Sequence, residues 1–341
     1  MEYLLYLPSF KNPIQIPFAM KLKGLLLISL IILTSGTSLF SQPVKEHGQL
    51  WVDGTKMKDK NDNITVLHGM SYGWHNWWPR LYNANTVKWL HEDWGCDMVR
   101  LAIGAEPDSG YIKFTEWSNE LLTTCVDAAI KEGIYVIIDW HSHNINLKEA
   151  KAFFSEMAQK YGKYPNIIYE IFNEPDSEKW PKVKAYSIEI IDVIRKYDAN
   201  NIILVGTPSW DQDVNIAADD PISGYKNIMY TLHFYAATHK QWLREKADYA
   251  INKGLPLFVS ECSSMFADGK GTLDYTEMQN WLNWMAKEQI SWVLWSVSDK
   301  GESCSALKPT ASSEGNWKES ELTESGQYDR KLLRSYMLDN K

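Results

Sequence analysis

From Ile64 onward, short apolar runs alternate with longer amphipathic stretches, and the alternation repeats without a Pro/Ser linker, a charge block or a sequence-level repeat. Eight of the short runs read as strands: residues 65–71, 97–103, 134–140, 166–172, 201–206, 227–234, 256–260 and 291–297. Most are rich in Val, Ile and aromatics, and four follow a nearby Gly or Pro turn signal ("GC", "EGI", "YPN", "GLP"). Between them, Asn119 to Lys131, Leu147 to Tyr161, Val183 to Tyr197 and Thr276 to Glu288 carry apolar residues at helical spacing. Nearly continuous apolar strands belong to parallel sheets covered on both faces. Eight of them, alternating with about eight helices over roughly 270 residues, predict an α/β fold: a closed (β/α)8 TIM barrel rather than an open doubly wound sheet. No Gly-rich fingerprint follows the first strand, which argues against a dinucleotide-binding fold. Segment 48–63 reads as strand, turn, strand, and is expected to be a hairpin plugging the amino-terminal end of the barrel. A last helix is expected over Tyr328 to Leu338, with no carbohydrate-binding or sorting module expected after it.

The first 41 residues stand apart from this pattern. From Met20 the chain reads "MKLKGLLLISLIILTSGTSLFSQ": two lysines, an apolar core, then small polar residues, the layout of a secretory signal peptide. Its uninterrupted apolar run, Gly24 to Leu33, is ten residues, short of the about 20 needed to cross a bilayer. Cleavage is expected around Thr37 to Gln42, with Met20 the better initiator and no cysteine nearby to take a lipid. The expected organisation is therefore a leader over 1–41 and a single catalytic barrel over 42–341, secreted as a monomer without stable membrane association.

Removing Glu2, Lys11, Lys21 and Lys23 with the leader leaves 32 basic and 42 acidic residues, a net charge of −10. Such a surface disfavours nucleic acid and anionic membranes, and a neutral ligand fits better. Four cysteines in an exported chain permit disulfides but form no CxxC metal pair. Sixteen tryptophans exceed what a core of this size requires, so some belong in a binding cleft.

In a (β/α)8 barrel, chemistry collects at the carboxyl ends of the strands. Strand by strand, those ends deliver His75 with Trp74, Trp77 and Trp78 ("YGWHNWW"); Arg100 ("VRLAIG"); His141 ("DWHSH"); Asn173 and Glu174 ("NEP"); Trp210; His233 and Tyr235 ("LHFYA"); Glu261 ("VSEC"); and Trp295, Lys300 and Glu302 ("WSVSDKGE"). Singly, each has a plainer role: Glu174 as a helix N-terminal carboxylate, Arg100 as a structural ion-pair partner, a histidine as a buried hydrogen-bonding group. His141 and His143 lack a third ligand at metal-site spacing, so neither a metal nor any other cofactor is expected. Their coincidence on one barrel face is what points to chemistry. Two carboxylates at strands 4 and 7 suit glycosidic bond hydrolysis, one protonating the departing oxygen while the other attacks the anomeric carbon. Arg100 is expected to favour an ionised Glu261, and apolar walls with a nearby carboxylate to keep Glu174 protonated. Tryptophan rings offer flat faces to pyranose rings.

With "VR", "DWH", "NEP", "LHFYA", "FVSE" and "WVLWSVSDK" in this order, the chain resembles glycoside hydrolase family 5, in particular its bacterial endoglucanase branch, from about Gly48 to the last helix. The resemblance implies a secreted, retaining endo-β-1,4-glucanase acting on cellulose or soluble β-glucan polysaccharides and oligosaccharides. Endo-β-mannanase, mixed-linkage glucanase and a non-catalytic β-glucan-binding protein are the alternatives. It implies Glu174 as general acid/base and Glu261 as nucleophile, with Arg100 orienting Glu261, Tyr235 bonded to it, Asn173 on the sugar 2-hydroxyl and His233 beside Glu174. His141 and His75 would touch the same sugar, Trp295 would be its stacking floor, Trp210 a leaving-group platform, and Lys300 and Glu302 contacts one sugar further. Gly104, where many relatives carry an aromatic, suggests a roomier cleft or a substitute from the "AEPDSGY" loop, and the extra tryptophans of "WHNWWPR" suggest rearranged stacking. Cys262 and Cys304, on neighbouring strand exits, are expected to form a disulfide.

Overall fold

Buried residues along the strands divide by parity, and the division builds the molecule. The structure, a computed structural model, describes residues 42–339; the leader lies outside the described residues. In chain order the elements are α1 (Pro43–His47), β1 (Trp51–Asp53), β2 (Lys56–Lys58), β3 (His68–Tyr72), α2 (Ala84–Glu92), β4 (Met98–Gly104), α3 (Thr115–Glu132), β5 (Tyr135–His141), α4 (Leu147–Tyr161), β6 (Ile167–Glu170), α5 (Trp180–Arg195), β7 (Ile202–Val205), α6 (Val214–Asp219), β8 (Ile228–Tyr235), α7 (Gln241–Asn252), β9 (Leu257–Ser263), α8 (Tyr275–Glu288), β10 (Trp292–Val297) and α9 (Glu324–Asp339). Strands β3 to β10 close into a barrel in the order β10-β3-β4-β5-β6-β7-β8-β9, all neighbours parallel. The eight expected barrel strands are all present. No helix among the described residues is long and apolar enough to cross a membrane.

Outward-pointing residues such as Val99, Leu101 and Ile103 of β4, or Val136, Ile138 and Trp140 of β5, join the helices in the larger core. Each helix supplies an amphipathic face to it; α4, for example, buries Ala150, Phe153, Phe154, Met157, Ala158 and Tyr161 at 3.6-residue spacing. Gly133 ends α3 in the left-handed conformation (φ 75°) that lets the chain turn into β5. Inward-pointing residues near the strand starts, Met98, Tyr135, Ile168, Ile202, Met229, Phe258 and Val293, form a second core with Leu50 and Met57 of the amino-terminal segment. The antiparallel β1–β2 hairpin thus closes the bottom of the barrel, tied by Val52 N–H to Asn227 Oδ1 (3.0 Å) and by Tyr135 Oη to Gly48 O (2.7 Å).

Toward the carboxyl ends the inward columns turn polar: Tyr135 and Ile137 give way to Asp139 and His141 on β5, and Met229 and Thr231 to His233 and Tyr235 on β8. Two local departures from regular pairing shape that end. Strand β6 stops at Glu170 rather than at the expected 172, and the chain then bends, with Asn173 N–H on Trp140 O and Glu174 N–H on Ser142 O. In β9 the register slips: Thr231 pairs Phe258 but His233 pairs Glu261, a bulge that turns consecutive Ser260 and Glu261 toward the interior.

Candidate active site

Arg100 is the electrostatic centre of the polar end. Its guanidinium, with no exposed surface, reaches Glu170 through Nε (2.7 Å) and Nη2 (3.1 Å), Asn173 Oδ1 (2.6 Å), Asp139 (3.0 Å), Ser71 Oγ (3.2 Å) and Glu261 Oε2 (3.0 Å). A buried charge is tolerable only when paired this completely. Tyr235 Oη donates to the other oxygen of Glu261 at 2.6 Å. Asn173 Nδ2 is buried without a protein partner, leaving a donor for a ligand. Arg100 and His233 hold Glu170 down at about 2 against its burial.

The other carboxylate is held by histidine. His233 Nδ1 lies 3.0 Å from Glu174 Oε1, its Nε2 2.9 Å from Ser260 Oγ, and Ser260 Oγ donates to Glu170 at 2.8 Å. His143 Nδ1 stands 3.8 Å from the second Glu174 oxygen. Burial opposes a charge on His233, but Asp211 and the bonds to Glu170 and Glu174 outweigh it and hold the ring well above the ordinary histidine value. Burial alone would raise Glu174; the His233 bond and charge reverse this and hold it below the ordinary glutamate value. Glu261 goes the other way, raised by burial and the charge of Glu174 against His233, Arg100 and Tyr235. Sequence reasoning gives Glu174 apolar walls and a retained proton; its neighbours are instead two histidines, which favour its ionised form. One oxygen of Glu174, one of Glu261 and a ring nitrogen of His233 lie within 4.8 Å of one another, as do atoms of Glu170, Asp211 and His233. Both His233 nitrogens are already hydrogen-bonded in place, so a metal ion would have to displace those partners.

Aromatic rings line the cleft beside these groups. His141 Nδ1 bonds Asp139 at 2.7 Å, and its ring lies parallel to Trp295 (5.3 Å, 3°), which in turn faces Arg100 at 5.9 Å. Burial and Arg100 keep His141 well below the ordinary value and therefore neutral, with Nε2 turned from Asp139. Trp74 packs edge-on to His141 (4.4 Å) and stacks on the half-exposed Trp77 (4.8 Å). Gly104 does not open the cleft: a Cβ there would lie 2.6 Å from Trp74 Cε3, so the Trp74 ring occupies the space left by the missing side chain. On the opposite side a cavity of about 380 Å³ is lined by Glu174, Trp210, Gln212, His233, Tyr235 and His239. Lys300 pairs with Glu302 at 2.7 Å on the β10 loop.

Two further expectations fail. His75 has no exposed surface; its Nδ1 accepts from Gly104 N–H (3.0 Å) and its Nε2 bonds Ser118 Oγ (2.8 Å), so it braces the loop and has no atom left for a ligand. Cys262 and Cys304 are free thiols rather than a bridge. Directly after the bulge, Cys262 faces the helix layer and bonds Val293 O, whereas Cys304 lies beside Glu302 on the cleft side. Glu170, Asp211 and Ser260 escaped the sequence reading. Glu170 had a signal, a lone acid inside an apolar strand; Asp211 and Ser260 had none.

Paired carboxylates facing each other at the strand exits of a (β/α)8 barrel, one backed by arginine, with tryptophans on both sides, define the class: a barrel built as glycoside hydrolases are. The chain belongs to the cellulase family, glycosyl hydrolase family 5, whose sequence model matches residues 58–301. It is 44% identical over 293 residues to an endoglucanase of Clostridium saccharobutylicum, covering 84% of this chain and 65% of that one. It is 40% identical over 308 residues to endoglucanase N of Pectobacterium atrosepticum, covering 88% and 69%. The chain thus spans about two thirds of the length of these curated relatives. Among solved structures, one from Cytophaga hutchinsonii superposes with a TM-score of 0.85 at 44% identity, covering 87% of this chain and 98% of that one. The catalytic domain of a Thermobifida fusca endoglucanase, in complex with cellotetraose, superposes with a TM-score of 0.81 at 32% identity, covering 86% and 100%.

Proposed function

We propose that this protein is a secreted endo-β-1,4-glucanase that cleaves cellulose or soluble β-glucans by double displacement, without a cofactor. The observation that carries the reading is that one oxygen of Glu174 and one of Glu261 lie within 4.8 Å of each other, an approach that suits the closely spaced carboxyl pair of a retaining enzyme. In the first step Glu261 attacks the anomeric carbon while the glycosidic C–O bond breaks and Glu174 protonates the departing oxygen. In the second, Glu174 takes a proton from water, whose oxygen attacks the same carbon and releases the Glu261 carboxylate. Arg100 and Tyr235 hold Glu261 in line and stabilise its charge as positive charge grows on the sugar. The proton Glu174 needs is one hydrogen bond away: a charged His233–Glu174 pair and its neutral form differ only by transfer along the 3.0 Å contact. A glucan that expels water from the cleft favours the neutral pair. Secretion is supported by the signal-like stretch from Met20, and the glucan by the cellotetraose bound to the Thermobifida relative.

The test is release of reducing ends from carboxymethyl cellulose, mixed-linkage β-glucan and mannan by wild type, Glu174→Gln and Glu261→Gln. The expected result is turnover on the glucans, reduced by at least about a hundredfold in both variants. Activity confined to mannan would replace the substrate, and no turnover on any polymer would remove the hydrolase reading.

A further inference from the structure

After β7 the chain reads Gly206-Thr207-Pro208-Ser209-Trp210-Asp211, and three consecutive residues with side chains, Ser209, Trp210 and Asp211, hold φ of 59°, 55° and 61°. L-residues avoid this left-handed region, so a run of three persists only where surrounding contacts impose it. Asp211 supplies several of those contacts. Its backbone N–H donates to Thr207 O at 3.1 Å, and its Oδ1 accepts the Thr207 N–H in return. Trp210 N–H is anchored on Pro175 O at 3.0 Å, directly after Glu174, and its ring projects half-exposed beside the cavity.

The second Asp211 oxygen points elsewhere. Oδ2 is buried, has no hydrogen-bond partner, and lies 3.4 Å from His233 Nε2. His233 is also faced by Glu170 (3.6 Å) and Glu174 (3.0 Å) from β6 and its exit, and by Ser260 and Glu261 from β9. Asp139, His141 and His239 also interact with its charge, and Arg100 shares Glu170 with it.

We propose that Asp211 is a positioning residue for the reaction proposed above: one buried carboxyl clasps the left-handed turn that presents Trp210 and faces the histidine that bonds Glu174. The leaving-group platform and the proton donor are then held by the same group. The inference rests on that reading of the reaction. Its two halves separate chemically. Asp211→Asn keeps the shape and an oxygen for Thr207 N–H but removes the charge facing His233; Asp211→Ala removes both.

The sign follows from the charge. Burial raises Asp211 and the His233 charge opposes that rise; as a carboxylate beside His233, Asp211 helps the His233–Glu174 pair keep its proton, so its removal lets that proton leave at lower pH. In Asp211→Asn the alkaline limb of the kcat/KM profile on a cello-oligosaccharide should move down by at least about half a pH unit, with KM within about twofold of wild type. In Asp211→Ala, KM should rise several-fold, and combining it with Trp210→Ala should add little to the KM of Trp210→Ala alone. Melting curves establish that each variant is folded, and Asp211→Ser, uncharged and smaller, repeats the pH measurement should Asp211→Asn not fold. An unshifted alkaline limb, or additive KM effects of Asp211→Ala and Trp210→Ala, with normal wild-type turnover, overturns this proposal alone. Absence of wild-type turnover on any glucan overturns the reaction and this proposal with it.

Discussion

Asp329 offers a stability test that is independent of the cleft. It lies on α9, 1% exposed, with Ser325 Oγ donating to it at 3.2 Å, and it contributes to the field at Cys262 of β9. Burial pushes its carboxyl up to about 8. The unfolded chain releases this proton near the ordinary value of 3.8, so the folded state binds the extra proton between the two values. Stability from this group is full below about pH 4, falls by about 1.4 kcal/mol per pH unit as pH rises, and levels off above about pH 8. The nominal loss at pH 8 is about 5 kcal/mol, and relaxation of the site reduces this to an order of 2–4 kcal/mol. Asp329→Asn mimics the neutral carboxyl at every pH. Its buried amide adds a cost of about 1–3 kcal/mol, but that cost is the same at all pH values. With an unfolding entropy of about 0.6 kcal/mol per kelvin for a chain of this length, the Tm difference between variant and wild type should be about 3–6 °C more favourable at pH 8 than at pH 4.5. Melting curves by circular dichroism at one scan rate measure it. An equal Tm difference at the two pH values would refute the assignment of a buried, neutral Asp329.

Three further outcomes are expected. Gly104→Ala drives a Cβ to 2.6 Å from Trp74 and 2.7 Å from Asn76 Oδ1, so the Trp74 ring must move; KM for cello-oligosaccharides should rise by about tenfold with kcat less affected, and an unchanged KM in steady-state kinetics would show that Trp74 does not bind sugar. Arg100→Lys retains a charge but loses the fork that spans Glu170, Asn173 and Glu261; kcat on carboxymethyl cellulose should fall by at least about a hundredfold and Tm should drop, since the buried acids lose their shared partner. Titration with a thiol reagent should find four reactive thiols in the unfolded, unreduced chain; two, with Cys262 and Cys304 recovered as one cross-linked peptide after proteolysis, would restore their bridge.

Local pattern carried much of the architecture. A strand covered on both faces must be apolar along its length and a helix on one stripe only, so periodicity alone located every barrel strand to within about three residues. It also placed α4 at its observed bounds, Leu147–Tyr161, and anticipated the hairpin below the barrel. The strand exits could be named for the same reason: in a parallel barrel all carboxyl ends meet on one face, whatever lies between them in sequence.

Which way each side chain turns at that face was decided by tertiary structure. A strand's register with its neighbours determines its inward residues, and the slip between His233 and Glu261 brings Ser260 into the site while sending Cys262 to the helices. His75 shares a segment with Trp74, yet only the fold shows that its nitrogens are taken by Gly104 and Ser118 while Trp74 fills the adjoining space. Protonation depends still more on the whole assembly. Asp139, Glu170 and Asp211 come from three separate turns of the chain, and only barrel closure sets them around Arg100 and His233 at contact distance. Charges interact through space, so the sequence determined which acids and bases the site holds, and the closed barrel decided which of them carries the proton.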